Sequence, residues 1–127
     1  MKYLIDTNIF LEILLAQKKR ERCKAFLTEN RETLYISDFS LHSIGVILFR
    51  NDKEVIFQKF MDDVVRDMKI ITLPRDFYKD LSVIKRNFSL DFDDAYQYKI
   101  VLDYDLRLVT MDADFNKVSG KIKIESL

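Results

Sequence analysis

Glycine and proline are almost absent from this chain, whose 127 residues include two glycines and one proline. These residues form most tight turns, and an all-β fold needs such a turn between nearly every pair of strands. Their scarcity argues against sandwiches and barrels and favours long helices with short connections. Apolar residues make up 48% and charged residues 33% of the chain, a globular composition that excludes intrinsic disorder.

The length predicts one domain over residues 1–127, because two good cores need more chain. Basic and acidic residues both number 21, so the net charge is zero and a binder of nucleic acid by charge alone is disfavoured. Asp6 and Glu12 interrupt the hydrophobic N-terminus, so neither a signal peptide nor a membrane span is predicted. The single cysteine, Cys23, is predicted to be a core residue. We expect a soluble, cytoplasmic protein with no membrane partner.

Five short apolar stretches are predicted to be β-strands. They are Lys2–Ile5, Leu34–Ile36, Lys69–Thr72, Arg107–Thr110 and Lys121–Ile124. In the first four the apolar residues run together, as in buried strands, whereas the fifth alternates with lysines, as edge strands do.

Helical periodicity separates these strands and is clearest over Lys53–Met68, with a last long helix over Phe92–Tyr104. Strands that alternate with helices predict an α/β fold in which helices flank a central, mostly parallel, five-stranded sheet. Ligands bind such sheets at the carboxyl ends of the strands. Candidate functional residues are therefore expected at those ends.

Aspartates follow two of the predicted strands, Asp6 after the first and Asp112 after the fourth, and others open the last helix. From Asp91 to Asp114 there are seven aspartates and two basic residues, a local charge of −5. Two bare carboxylates about 5 Å apart repel by about 3 kcal/mol at an effective dielectric constant of about 20. Their convergence therefore predicts a bound cation, and an all-oxygen ligand set favours Mg²⁺ or Mn²⁺ over zinc.

Each aspartate taken alone is also explained as a helix cap or a turn residue. Their combination at strand ends favours a functional role for Asp6, Asp94 and Asp112. The choice stays open for Asp91, Asp93 and Asp114.

Three segments resemble the PIN-domain nucleases, and more closely the VapC-type toxins of toxin–antitoxin pairs. They are LIDTNIFLEIL, LDFDDAYQY and LVTMDADF, in this order along the chain. The resemblance implies a PIN-like three-layer domain and a metal-dependent ribonuclease that uses Mg²⁺ or Mn²⁺. It also implies an RNA substrate, a homodimer and, in a toxin–antitoxin pair, a cognate antitoxin protein.

By this resemblance, the catalytic and metal-binding acids of the family match Asp6, Asp94 and Asp112, and Asp114 matches a further metal-binding acid. Asn8 matches the companion of the first acid, and Thr110 is the hydroxyl neighbour of Asp112.

One position departs from the family pattern, because Ser43 stands where a glutamate is common. The neighbouring His42 points about 100° away on a helix, so it does not automatically replace the acid. As a lone helical histidine it favours a packing or hydrogen-bonding role, and a catalytic or phosphate-contacting role stays open. Asp38 and Glu12 are two acids that could reach the site instead. The departure leaves a second interpretation open, a PIN-fold binding module with weak or no nuclease activity.

Two further groups of residues have alternative roles. A basic run is favoured as a solvated helix face, and the alternative is a contact with RNA through Lys18, Lys19, Arg20 and Arg22. Tyr96, Tyr98 and Tyr104 belong to the core or to a dimer interface. A phosphate-accepting receiver domain also places aspartates at strand ends, but it needs an acidic pair after the first strand, where this chain has Asp6 alone.

Overall fold

Strand β1 lies at the centre of a five-stranded sheet in the computed structural model, which describes all residues, 1–127. The strands are β1 (Tyr3–Ile5), β2 (Leu34–Ser37), β3 (Lys69–Ile71), β4 (Arg107–Thr110) and β5 (Lys123–Ser126). Their order is β3-β2-β1-β4-β5, and every neighbouring pair is parallel. The predicted α/β fold with a five-stranded parallel sheet is confirmed.

Six helices connect and cover the strands. They are α1 (Thr7–Leu14), α2 (Arg20–Glu29), α3 (Asp38–Arg50), α4 (Glu54–Asp63), α5 (Asp80–Phe88) and α6 (Phe92–Tyr104). Successive strand residues point to opposite faces of the sheet. Leu4 therefore packs into one buried cluster with α5 and α6, whereas Ile5 packs into another with α1 and α3. Both residues are fully buried, which explains why this strand is apolar without alternation.

The predicted helix over Lys53–Met68 ends early, at Asp63, and a 3₁₀ turn at Val65–Asp67 follows it. Two consecutive β-branched residues, Val64 and Val65, stand at the break, and valine loses side-chain freedom in a helix. Val65 and Met68 are buried nonetheless. The apolar stripe was therefore identified correctly, but its last members, Val64, Val65 and Met68, lie beyond the end of the α-helix.

Two strand predictions also need correction. β3 is an edge strand and not a buried one, and Ile70 is 51% exposed on it. β5 is an edge strand as predicted, but it begins at Lys123 and not at Lys121. The N–H groups of Lys121 and Ile122 donate to the carbonyl of Val118 and so continue the preceding turn.

The tyrosines of α6 divide between core and surface. Tyr96 and Tyr98 are buried, so they belong to the core and not to a dimer interface, whereas Tyr104 is exposed. Cys23 is fully buried, as predicted. None of the helices combines the length and the apolar character that crossing a membrane requires.

The chain leaves β1 towards β2 on one side, and β4 later joins β1 on the other side. The strand order therefore reverses between β1 and β4, and ligands of open α/β sheets bind at such a point. Asp6 ends β1 and caps α1, while Asp112 follows β4 and caps the 3₁₀ segment Ala113–Val118. The two aspartates consequently lie on either side of the reversal.

Candidate active site

A cleft of about 300 Å³ opens at the carboxyl ends of the central strands. The polar residues that line it are Asp6, Thr7, Asn8, Ser43, Asp93, Asp94, Gln97 and Asp112. Four of these are acidic and none is basic. The cleft therefore has the composition expected of a cation site, and an anionic substrate would be repelled from it without a cation.

Asp6 is held on both of its carboxylate oxygens. Oδ2 accepts a hydrogen bond from the Thr110 hydroxyl at 2.7 Å, and Oδ1 accepts one from the Thr7 backbone N–H at 2.8 Å. The side chain is only 7% exposed, and this burial raises the pKa of Asp6 although the hydrogen bonds oppose the rise. Asp6 is therefore a fixed and largely desolvated acid.

Three other carboxylates converge on one another, and two of them, Asp94 and Asp112, line the cleft together with Asp6. Asp94, Asp112 and Asp114 each offer an oxygen, and these oxygens lie within 4.8 Å of one another. Asp94 lies in the first turn of α6, where its N–H donates to Asp91 at 2.9 Å, and Asp112 accepts from the N–H of Asp114 at 2.9 Å. The capping and turn roles considered for Asp91 and Asp112 are thus real, and for Asp112 they coexist with a place in the acidic cluster.

The cluster disfavours its own negative charge. Burial, followed by the charges of Asp112 and other aspartates, raises the pKa of Asp94 to about 7. In the absence of a cation this carboxyl is thus about half protonated at neutral pH. A divalent cation would lower the pKa of Asp94 again, because its positive charge favours the ionised carboxylate and offsets the neighbouring negative charges.

The donor set fits a hard divalent cation. It consists of oxygens from Asp94, Asp112 and Asp114, and the buried Oδ1 of Asn8 in the same cleft has no hydrogen-bond partner. Buried acceptors of this kind are normally satisfied by water or an ion. Oxygen-only sets suit Mg²⁺ and Mn²⁺, whereas zinc prefers nitrogen and sulfur ligands.

Three residues that sequence reasoning missed form a buried network behind Asp6. Gln97 is 1% exposed and donates through Nε2 to Ser40 Oγ at 2.8 Å and to Asp6 Oδ1 at 3.4 Å. The hydroxyl of Thr7 also reaches Ser40 Oγ, at 2.8 Å. Gln97 follows Asp94 by three residues, so both lie on one face of α6. That spacing was the only signal for Gln97 in the sequence.

Comparison with known proteins assigns the chain to a family. The family model described as PIN domain matches residues 3–121. The chain belongs to the PIN domain family. Toxins with a PIN domain are generally nucleases. No curated protein matches the chain by sequence.

Solved structures with the same fold include several toxins. This PIN domain superposes on a toxin–antitoxin complex from Klebsiella pneumoniae with a TM-score of 0.78 and 19% identity, covering 98% of this chain and 97% of that one. The match to VapBC2 from Rickettsia felis, bound to a promoter DNA fragment, has a TM-score of 0.76 and 19% identity, and it covers 100% of this chain and 99% of that one. The match to VapC20 from Mycobacterium tuberculosis, a Sarcin-Ricin loop cleaving toxin, has a TM-score of 0.76 and 14% identity, and it covers 98% of this chain and 99% of that one.

The PIN domain brings Ser43 into the cleft but not His42. Ser43 lines the cleft, whereas His42 is exposed and lines a separate hollow with Phe49 and Phe57 on the other side of α3. Adjacent helix residues point about 100° apart, which explains the difference. His42 thus does not take the place of the missing acid.

The two other acids considered for that place are engaged elsewhere. Asp38 accepts a hydrogen bond from the Tyr96 hydroxyl at 2.6 Å, and Glu12 accepts one from the backbone N–H of Lys19 at 2.7 Å. Neither acid lines the cleft. Ser43 is thus a neutral residue of the cleft, and neither Asp38 nor Glu12 takes the place of the acid expected there.

The four basic residues considered for RNA contact are exposed and lie outside the cleft. They follow the far end of α1, whose eight residues span about 12 Å from its start beside Asp6. Lys19 Nζ donates to the carbonyl of Leu127 at 3.1 Å, and Arg20 pairs with Glu21 at 3.3 Å. Lys18 and Arg22 form no ion pair within 4.0 Å.

Proposed function

We propose that this protein is a metal-dependent endoribonuclease and the toxin of a toxin–antitoxin pair. The observation that carries the proposal is the convergence of oxygens from Asp94, Asp112 and Asp114 within 4.8 Å of one another. Asp94 and Asp112 also line the cleft together with Asp6. PIN-domain toxins are generally nucleases, and similar structures include toxin–antitoxin complexes. A cytoplasmic site of action and a homodimer fit this proposal.

The proposed roles follow from the contacts of each acid. Asp94, Asp112 and Asp114 would hold the cation, Mg²⁺ or Mn²⁺, which when bound acidifies a water and offsets charge on the scissile phosphate. Asp6 adds a carboxylate acceptor whose orientation is restrained by its hydrogen bond to Thr110. Asn8 presents a neutral oxygen to the same cleft.

The partners of the proposed toxin are an RNA substrate and a cognate antitoxin protein. The antitoxin proposal is supported by similar structures, namely the Klebsiella pneumoniae complex and VapBC2 from Rickettsia felis. The basic residues Lys18, Lys19, Arg20 and Arg22 are exposed and suit contact with RNA phosphates that extend beyond the cleft.

Cleavage of a mixed RNA pool tests the nuclease proposal. Purified protein is incubated with Mg²⁺, with Mn²⁺ or with EDTA, alongside Asp6→Asn and the control Asp62→Asn, whose aspartate is exposed on α4. We expect cleavage with either metal, no cleavage in EDTA or by Asp6→Asn, and normal cleavage by Asp62→Asn. Cleavage that persists in Asp6→Asn would contradict the assignment.

Ser43 supports a second candidate function, an RNA- or protein-binding module with weak or no catalysis. Ser43 lines the cleft where the family commonly has a glutamate, so one negative charge is missing. If this loss limits activity, Ser43→Glu will create or raise metal-dependent cleavage, whereas Ser43→Gln, a neutral control of the same size, will not. Unchanged cleavage in Ser43→Glu would remove the loss of the acid as an explanation.

A further inference from the structure

Two aromatic rings are exposed beside the acidic cleft. Phe92 is 57% exposed and Tyr78 is 44% exposed. Both line a hollow of about 400 Å³ whose other walls are Leu81, Ser82, Lys85 and Asp91. Single exposed apolar side chains are common, but two rings that share one hollow indicate a binding surface.

Both rings are supported from behind by Tyr96. The ring centroids of Tyr78 and Tyr96 are 5.8 Å apart, and those of Phe92 and Tyr96 are 6.4 Å apart. Tyr96 is itself fixed, because its hydroxyl donates to Asp38 at 2.6 Å and accepts from the Leu73 N–H at 3.0 Å. The exposed rings therefore stand on an ordered support and lose little freedom when a ligand stacks on them.

The hollow and the cleft share the start of α6 as a wall. Asp91 lines the hollow, whereas Asp93 and Asp94 line the cleft. Residues 91–94 span only about 5 Å along the helix axis. A ligand that occupies the cleft with one group can therefore place a neighbouring group in the hollow.

The charges of the site indicate which ligand fits. No basic residue lines the cleft and the protein has no net charge, so no side chain of the cleft adds a positive contact to phosphate beside the proposed cation. Stacking of a base on an aromatic ring contributes about 1–3 kcal/mol and accepts any base. Lys85 adds one positive charge to the hollow, and Ser82 and Asp91 add groups that can bond to the edge of a base.

We propose that the hollow lined by Phe92 and Tyr78 binds an unpaired nucleobase of the RNA, adjacent to the phosphate that lies in the acidic cleft. This inference rests on the proposed function and adds to it a subsite for the base next to the scissile phosphate. A base inside a duplex is already stacked on its neighbours and cannot enter the hollow.

Phe49 provides a matched control. It is 59% exposed, similar to Phe92, and its ring also packs on another aromatic residue, Phe57, at 5.8 Å. It belongs to the hollow on the other side of α3 and not to either wall of the acidic cleft. Truncation of Phe49 thus removes a comparable exposed ring away from the proposed base site.

The test measures binding of a single-stranded oligoribonucleotide that carries one 2-aminopurine, whose fluorescence is quenched by stacking. The proteins carry Asp6→Asn so that the RNA stays intact, and Mg²⁺ is present. Phe92→Ala is expected to weaken binding roughly 5- to 150-fold and to abolish part of the quenching, as the loss of one stacked base predicts. Phe92→Trp should retain binding, and Phe49→Ala should bind within about twofold of its parent, since it lacks only a remote ring.

Several results would overturn the inference. They are undiminished binding by Phe92→Ala, an equal loss in Phe49→Ala, and equal affinity for a duplex of the same sequence. Cleavage by the protein without Asp6→Asn separates this inference from the proposed function. Cleavage that does not depend on Phe92 would support the nuclease proposal and contradict the base site. Phe92-dependent binding without any cleavage would support the base site and contradict the nuclease proposal. Absence of RNA binding removes both.

Discussion

The hydroxyl of Thr110 donates a 2.7 Å hydrogen bond to Asp6 and so joins the ends of two neighbouring strands, β4 and β1. The same hydroxyl accepts a hydrogen bond from the N–H of Asp112 at 2.9 Å. The Thr110 side chain therefore links Asp6, at the end of β1, to Asp112, which follows β4. The geometry of the site depends on this contact as well as on the acids themselves.

Thr110→Val removes that contact while keeping the shape of the side chain. Asp6 loses a donor and the Asp112 N–H loses its acceptor, so we expect a loss of about 1–3 kcal/mol in the free energy of unfolding. Urea denaturation monitored by circular dichroism measures this loss. Thr110→Ser, which keeps the hydroxyl, serves as the control. Equal stability of the valine variant and the original protein would show that the contact contributes nothing.

The raised pKa of Asp94 predicts an unusual dependence of stability on pH in metal-free protein. Because the pKa rises from an ordinary 3.8 to about 7, the folded state favours the protonated carboxyl. The contribution of Asp94 to the free energy of unfolding is fully present below about pH 4 and is lost as the pH rises through about 7. The loss is on the order of a few kcal/mol.

Thermal unfolding in EDTA at several pH values between 4 and 8 measures this effect. The melting temperature of the original protein should fall relative to that of Asp94→Asn as the pH rises. Addition of Mn²⁺ at pH 7.5 should recover the difference, since a cation favours the ionised carboxyl. Parallel curves for the two proteins would contradict the shifted pKa.

Gln97→Glu tests whether the network behind Asp6 must stay neutral. The substitution places a carboxylate beside Asp6 Oδ1, which the Gln97 amide approaches at 3.4 Å, and it replaces a donor with an acceptor. We expect a lower melting temperature in EDTA, with partial recovery at low pH. Gln97→Met, of similar size but without charge, should be milder, and an equal loss in both would indicate a packing effect alone.

Tyr96→Phe tests the support behind the exposed rings. The hydroxyl of Tyr96 has two partners, Asp38 and the Leu73 N–H. Its removal leaves the buried Leu73 N–H without this acceptor, whereas the exposed Asp38 keeps the N–H of Phe39 as a donor. We expect a loss of about 1–3 kcal/mol in the free energy of unfolding. The variant Tyr104→Phe, whose tyrosine is exposed, is the control in the same denaturation experiment.

Much of the fold could be predicted from the sequence because local signals agree with the tertiary structure. Helix α6 has the predicted bounds, Phe92–Tyr104, since Asp91 caps its start and Asp105 ends it in the left-handed conformation. The aspartates at strand ends were predictable for a similar reason. Parallel strands bring their carboxyl ends to one edge, so Asp6 and Asp112 had to approach each other.

The contacts behind the site could not be predicted, because they join residues far apart in the sequence. Gln97 reaches Ser40, 57 residues away, and Tyr96 reaches Asp38, 58 residues away. Nothing in the local pattern specifies such partners. The early end of α4 was missed because the apolar period continues through Val64 and Met68 after the helix has ended.

Calorimetric titration of the metal-free protein with Mn²⁺ tests the central claim that the converging aspartates form a cation site. The account predicts binding by the original protein and by Asp62→Asn, and at least about tenfold weaker binding by Asp112→Asn, because one of three carboxylate ligands is removed. Equal affinity of Asp112→Asn and the original protein, or no binding by either, would contradict it.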